Sequence, residues 1–145
     1  EEFHRFEAKE AFCNAAERRK QEQIAGIVVS VHSGWQTNVL RLVPQRVVLG
    51  IGCRRGTAQE TIEAAVAAVL SAHQLDPSAV KGAYSIDLKQ QEAGLLAACA
   101  KHNWPTVFYT AEELRSVPGE FTDSPFVQEM TGVGNVCERA AMRGA

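Results

Sequence analysis

Apolar positions recur at helical spacing over residues 3 to 22, where Phe3, Phe6, Ala8, Phe12, Ala15 and Ala16 are set among Glu, Lys and Arg, and the pattern predicts a helix. Ile24 to Val31 is a β-branched run that predicts a strand, bounded by the turn signal His32-Ser33-Gly34. Residues 35 to 46 read as a connector. From there the pattern becomes regular. Val47 to Ile51 is a short continuous apolar run ending in glycines, as expected of a strand buried on both faces. Thr57, with Glu60 three positions on, has the form of a capping box, in which side chains and orphan amides satisfy one another reciprocally. Behind it Ile62, Ala65, Val66, Val69 and Leu70 make one apolar stripe ending near His73, and Asp76-Pro77 breaks the helix.

A second buried strand is expected over Ala83 to Ile86, and a helix over Lys89 to Lys101 with Glu92, Leu95, Leu96 and Cys99 on one face. Thr106 to Tyr109 predicts a third strand, Ala111 to Arg115 a short helix and Val117 to Asp123 a loop. Ser124-Pro125 opens another short helix, with Ser as cap and Pro at the first helical position. Gly132-Val133-Gly134 forms a second glycine loop, after which Asn135 and Glu138 repeat the cap-and-third-position arrangement before a last helix through Ala140, Ala141 and Met142. Strands alternating with helices over short links predict an α/β fold, a three-layer α/β/α sandwich with a mostly parallel sheet. In such sheets ligands bind beyond the carboxyl ends of the strands, the edge at which both glycine loops are expected.

Composition narrows the class. The chain has 145 residues, and 46% of them are hydrophobic, enough for one domain with a real core. A net charge of −2 lacks the basic excess of a nucleic-acid binder. The run Ile24 to Leu40, free of Lys, Arg, Asp and Glu, is too short and too polar to span a bilayer, and the acidic opening Glu1-Glu2-Phe3-His4 does not have the form of a signal peptide. A cytoplasmic protein is expected, and the missing initiator Met suggests an excised, trimmed or processed chain. Cys13, Cys53, Cys99 and Cys137 lie 38 to 46 residues apart, and the four histidines are equally scattered, so no metal site is expected and the thiols read as reduced and buried. Cys53 is the one to watch, because Arg54 and Arg55 would depress its thiol pKa if the side chain faced them.

Three stretches could carry chemistry. In Gly50-Ile51-Gly52-Cys53-Arg54-Arg55-Gly56-Thr57 a strand-to-helix glycine loop offers amides to an anion, and two arginines add carboxylate or phosphate donors; the plain alternative is a tight turn with solvated arginines. The third glycine is one residue late for a dinucleotide loop, and Asp76, where a ribose-binding acid would be sought, falls in a loop. In Ser85 to Glu92, Asp87 either caps the following helix or faces the ligand edge, and Lys89 and Glu92 form either a surface ion pair or a proton-transferring pair. In Thr131 to Glu138, Gly132, Gly134, Asn135 and Glu138 would present further amides, or simply close a loop. Together the loops describe a pocket for a small polyanionic ligand.

The same stretches carry a resemblance. Leu42 to Thr57, Ser85-Ile86-Asp87-Leu88-Lys89 with Glu92-Ala93-Gly94-Leu95, Phe108 to Leu114, Ser124 to Val127 and Thr131 to Ala141 resemble, in order, the C-terminal domain of CbiG, a cobalamin-biosynthesis family. The likeness covers about residues 40 to 145, leaving residues 1 to 46 as a linker segment of helix, strand and connector and 47 to 145 as the family domain. The resemblance implies part of a hydrolase that opens the δ-lactone of cobalt-precorrin-5A and releases acetaldehyde. The alternative is a non-catalytic module, like the stand-alone CobE, that binds or delivers a tetrapyrrole intermediate. On either reading Gly50, Gly52, Cys53, Arg54, Arg55, Thr57, Asp87, Gly132, Gly134, Asn135 and Glu138 would hold a cobalt-precorrin or precorrin, and Lys89 and Glu92 would activate water or assist loss of the alkoxide. No cofactor is expected on the protein, since cobalt would arrive in the substrate macrocycle. The CbiG N-terminal half or neighbouring pathway enzymes are the expected partners, with no nucleic acid and no membrane.

Overall fold

The structure, a computed structural model, describes residues 26–35 and 38–145. The helix expected over residues 3 to 22 lies outside the described residues, as does Cys13. Among the described residues, five strands and five α-helices follow in the order β1 (Gly26–Val29), β2 (Val39–Leu42), β3 (Val47–Gly50), α1 (Gln59–Ala72), β4 (Val80–Ile86), α2 (Ala93–Lys101), β5 (Thr106–Tyr109), α3 (Ala111–Arg115), α4 (Pro125–Thr131) and α5 (Cys137–Gly144). Every strand pairing between them is parallel, with β3, β4 and β5 side by side in that order.

Sequential parallel order places both crossover helices, α1 and α2, on one face of the sheet. Val47, Leu49, Val80, Ala83 and Phe108 turn toward that face and pack with Ile62, Leu70, Leu95, Ala98, Cys99 and Trp104. Val48, Tyr84, Ile86 and Tyr109 turn the other way and pack with Leu114, Val133, Val136 and Ala140 beneath α3 and α5. The result is the expected α/β sandwich with helices on both faces. Val80 and Ala83 share a face although they are three residues apart, because the β3–β4 register slips at Lys81: Val47 pairs with Val80, but Val48 pairs with Gly82.

Several local expectations are corrected. The connector over residues 35 to 46 contains β2, which pairs with β1. The pair is tied to the main body where Ser33 N–H donates to Gln74 O, Asp76 N–H donates to Val31 O, and Arg41 bridges to Asp76. Asp76 also accepts from Ser78 N–H, so it serves the loop before β4 rather than a ligand. Thr57 does not cap α1. Its hydroxyl turns back to donate to Arg54 O at 2.8 Å, and the helix begins at Gln59 behind Ala58. In α1 only Ile62 and Leu70 are fully buried, while Ala65 and Val69 flank the contact and stay exposed. The helix expected from Lys89 begins at Ala93, preceded by a 3-10 turn over Asp87–Lys89.

Candidate functional site

Beyond the carboxyl ends of β3 and β4 lies a cleft of about 980 Å³, and both glycine loops open onto it. From the first come Gly52, Cys53, Arg54 and Arg55, and from the second Gly134, Asn135, Val136, Cys137 and Glu138. Lys89 and Glu92 line it between them, with Leu88, Phe126 and Met130. Four of the anticipated residues do not line it: Gly50, Thr57, Asp87 and Gly132.

Each of these four has a structural task or place. Gly50 ends β3 where α5 begins, and a Cβ there would run into the Cys137 carbonyl. Thr57 closes the arginine turn by donating its N–H and hydroxyl to Arg54 O. Asp87 opens the 3-10 turn, its carbonyl accepting from Gln90 N–H. Gly132 takes φ +74° to terminate α4, a left-handed cap that glycine adopts without steric cost.

The exit of β3 is locked before it reaches the cleft. Ile51 N–H donates to Tyr84 O at 2.8 Å, and the buried Ser85 hydroxyl donates to Ile51 O at 2.6 Å. Beyond this clamp, Arg54 to Thr57 makes a turn with Gly56 at φ +71°, the third position that a type II turn reserves for glycine. The turn presents Arg54 and Arg55 as exposed side chains. Glu92 holds it from the other side: Oε2 accepts from Gly56 N–H at 3.0 Å, and Oε1 accepts from Lys89 Nζ at 3.0 Å. Those two hydrogen bonds keep the Glu92 carboxyl below its ordinary range, so the group is ionised with both oxygens engaged. Lys89 and Glu92 therefore pair as anticipated, but across a 3-10 turn and a helix cap rather than on one helical face.

The second loop is stitched as tightly. Ser124 N–H donates to Gly134 O at 2.8 Å, Asn135 Nδ2 donates to Thr122 O at 3.0 Å, and Glu138 N–H donates to Asn135 Oδ1 at 2.9 Å. Gly132 N–H goes to Gln128 O and Val133 N–H to Thr131 Oγ1. Of that loop's amides, those of Gly132, Val133 and Glu138 are thus spent on the fold. Positive charge in the cleft is carried instead by the side chains of Arg54, Arg55 and Lys89, against the carboxylates of Glu92 and Glu138.

Cys53 reverses another expectation. Burial pushes its thiol above the ordinary 9.0, Lys89 pulls it down, and Glu92 and Cys137 push it further up; the neighbouring arginines do not depress it. Cys137 is exposed as a residue, but its sulfur is the crowded part, 2.8 Å from where a Cβ on Gly52 would stand. Desolvation raises that thiol as well, opposed by the Gly52 N–H. Among the described residues no group of three or more His, Cys, Asp or Glu side chains assembles as a metal site, and no helix is long and apolar enough to cross a membrane.

Residues 47–145 match the family model described as cobalamin synthesis G C-terminus. The chain belongs to that family. Within the cobalamin synthesis G C-terminus family, it is 46% identical over 103 residues to the cobalt-precorrin-5A hydrolase of Salmonella typhimurium, covering 70% of this chain and 29% of that protein. It is 36% identical over 99 residues to the cobalt-precorrin-5A hydrolase of Priestia megaterium, 68% of this chain and 26% of that one. The chain therefore spans under a third of the length of either hydrolase. The crystal structure of CobE, a protein from the cobalamin (vitamin B12) biosynthetic pathway, superposes with a TM-score of 0.61 at 30% identity, over 65% of this chain and 67% of CobE.

Sequence reasoning missed Leu88, Phe126 and Met130. The available signal was the spacing of Phe126 and Met130, four apart on a short helix whose Val127 already serves the core.

Proposed function

We propose that the cleft binds a carboxylate-bearing tetrapyrrole intermediate of cobalamin synthesis, and that the chain is the substrate-holding C-terminal part of a cobalt-precorrin-5A hydrolase. The observation that carries this reading is the convergence of Arg54, Arg55 and Lys89 on one cleft in a chain of this family. Arginine forks bind carboxylates through paired, charge-assisted hydrogen bonds, and the substituent arms of such a macrocycle end in carboxylates. Arg54 and Arg55 would take those arms. Lys89, an ammonium at the edge of the cleft, would stabilise the oxyanion formed when water adds to the lactone carbonyl and would protonate the departing alkoxide. Glu92 would fix Lys89 and the arginine turn in register. Cobalt belongs to the substrate here. The remaining part of the longer hydrolases would complete the active centre, residues 1 to 46 would link to it, and the setting would be cytoplasmic.

A second reading, a CobE-like module that binds or hands on the intermediate without reaction, is favoured by one feature. The cleft's best-placed carboxylate, Glu92, has both oxygens occupied and a lowered pKa, which makes it a poor proton acceptor near neutrality. Incubating the lactone intermediate with this chain, alone and joined to the remaining part of a hydrolase relative, separates the readings through acetaldehyde release. Acetaldehyde from the joined protein, lost on Lys89→Ala, supports the hydrolase reading. Tight binding with no acetaldehyde in either form supports the carrier. Failure of the Arg54→Ala/Arg55→Ala variant to weaken binding would overturn both.

A further inference from the structure

Leu88, Phe126 and Met130 are 62%, 67% and 63% exposed, and all three line the cleft. Large apolar side chains gathered at one opening need an explanation that scattered ones do not. Their support is rigid. Ser124 caps α4 by accepting from Val127 N–H, Pro125 sets its first turn, and Gly132 ends it with a carbonyl held by Arg115 Nη1 and Gln128 Nε2. Val127 packs into the core, which leaves Phe126 and Met130 on the outer side of the helix. Leu88 stands on the 3-10 turn, one residue before the cleft's lysine.

Resting on the tetrapyrrole reading of the cleft, we propose that Leu88, Phe126 and Met130 form an apolar platform on which one face of the macrocycle lies, while its acid arms reach Arg54 and Arg55. Two properties of the site select this occupant over a protein surface. The volume of about 980 Å³ is that of a small-molecule site, and the cationic side chains in the same cleft demand a ligand with an apolar body and anionic edges. A phenyl ring and a thioether suit a flat conjugated face, because stacking and polarisable contacts do not depend on its substituents. The platform would thus read the ring, and the arginines its charge.

Three probes separate the two functions: cobyrinic acid (ring and carboxylates), cobinamide (ring with amidated arms) and citrate (carboxylates without a ring). Phe126→Ala/Met130→Ala should weaken cobyrinic acid and cobinamide about ten- to a hundredfold, the range expected for losing two large apolar contacts, and leave citrate unchanged. Phe126→Leu/Met130→Leu should retain most of the affinity. Circular dichroism checks that the variants fold. Unchanged cobyrinic acid affinity in the alanine variant overturns the platform, and does so while the cleft reading survives if Arg54→Ala/Arg55→Ala still weakens binding. If the alanine variant keeps its affinity but turns a dimer into a monomer, the surface is a self-association face and the proposal falls. No binding of cobyrinic acid to the wild-type chain overturns platform and cleft together.

Discussion

Gly56 donates its backbone N–H to Glu92 Oε2 at 3.0 Å, joining two residues thirty-six positions apart. Through the other carboxylate oxygen the same side chain holds Lys89. Glu92 is thus the brace between the arginine turn and the lysine, and its two functions can be told apart. Glu92→Gln keeps an acceptor for Gly56, while Glu92→Ala keeps nothing. As a brace, Glu92→Ala should raise the dissociation constant for cobyrinic acid about tenfold, the effect of losing a hydrogen bond to a charged group, and Glu92→Gln should raise it far less. Titrations of both variants check this. Unchanged binding in Glu92→Gln with turnover lower by about two decades or more would instead assign proton transfer to Glu92.

The acid limb of stability follows from the same carboxylate and two others. Glu92 is lowered from an ordinary 4.5 by Gly56 and Lys89, Glu63 by Gln59 and Lys101, and Glu113 by Thr110 and then Arg143. A carboxyl depressed in the folded state contributes stability that is complete above its ordinary value and lost as pH falls through the lowered one. Melting temperature should therefore be flat from neutrality down to about pH 5 and drop below about pH 4.5, where these groups begin to bind protons. In Glu92→Gln the drop should be shallower. A decline already under way at pH 6 in thermal melts would contradict the assignment.

Gly50 and Gly56 belong to one glycine-rich stretch, yet they are glycines for different reasons. At Gly50 a Cβ would strike the Cys137 backbone, so Gly50→Ala must displace the start of α5. Such overpacking costs about 1–3 kcal/mol, or a loss of roughly 4–12 °C in melting temperature for a chain of this size. Gly56 has open space around it but sits at φ +71°, so Gly56→Ala should cost only about 1 kcal/mol. Its larger effect should be on ligand affinity, because the strain falls on the turn that carries Arg54 and Arg55. Melting curves and cobyrinic acid titrations of the two variants should rank them in opposite orders.

That contrast marks what the sequence could and could not convey. β3, β4, β5, α3 and α4 were legible because short apolar runs, a Pro at the first helical position and a Ser cap act locally. Thr-x-x-Glu occurs both at Thr57–Glu60 and at Thr110–Glu113, but only the second is a capping box. Thr57 spends its hydroxyl on the Arg54 carbonyl exposed by the preceding turn, a demand no local pattern records. The late start of α2 has a similar cause. Gly94 lies so close to the Thr57 carbonyl that no side chain fits, and Glu92 is drawn off to Gly56, so the chain from Asp87 to Glu92 is shaped by the arginine loop. β2 was hidden because only Val39 in it is even partly shielded, and an exposed strand has no hydrophobic alternation to show.

The thiols in the cleft supply a last measurement. Burial raises Cys53, Cys99 and Cys137 above the ordinary 9.0, so at pH 7.5 each carries less thiolate than a free cysteine. Iodoacetamide should label all three more slowly than a short cysteine peptide, and labelling should still be accelerating above pH 9. Access to the sulfur then sets the order: Cys53 is half-buried and opens on the cleft, the Cys137 sulfur is packed against Gly52 although the rest of that residue is exposed, and Cys99 is buried, so Cys53 should react first. Cobyrinic acid should protect Cys137 and Cys53, which line the cleft, without changing Cys99, which stands on the core-facing side of α2. Peptide mass spectrometry reads the three sites separately. Protection of Cys99 alone, or fast labelling of Cys53 at neutral pH, would mean that the ligand or the arginines act on the thiols differently from the geometry described.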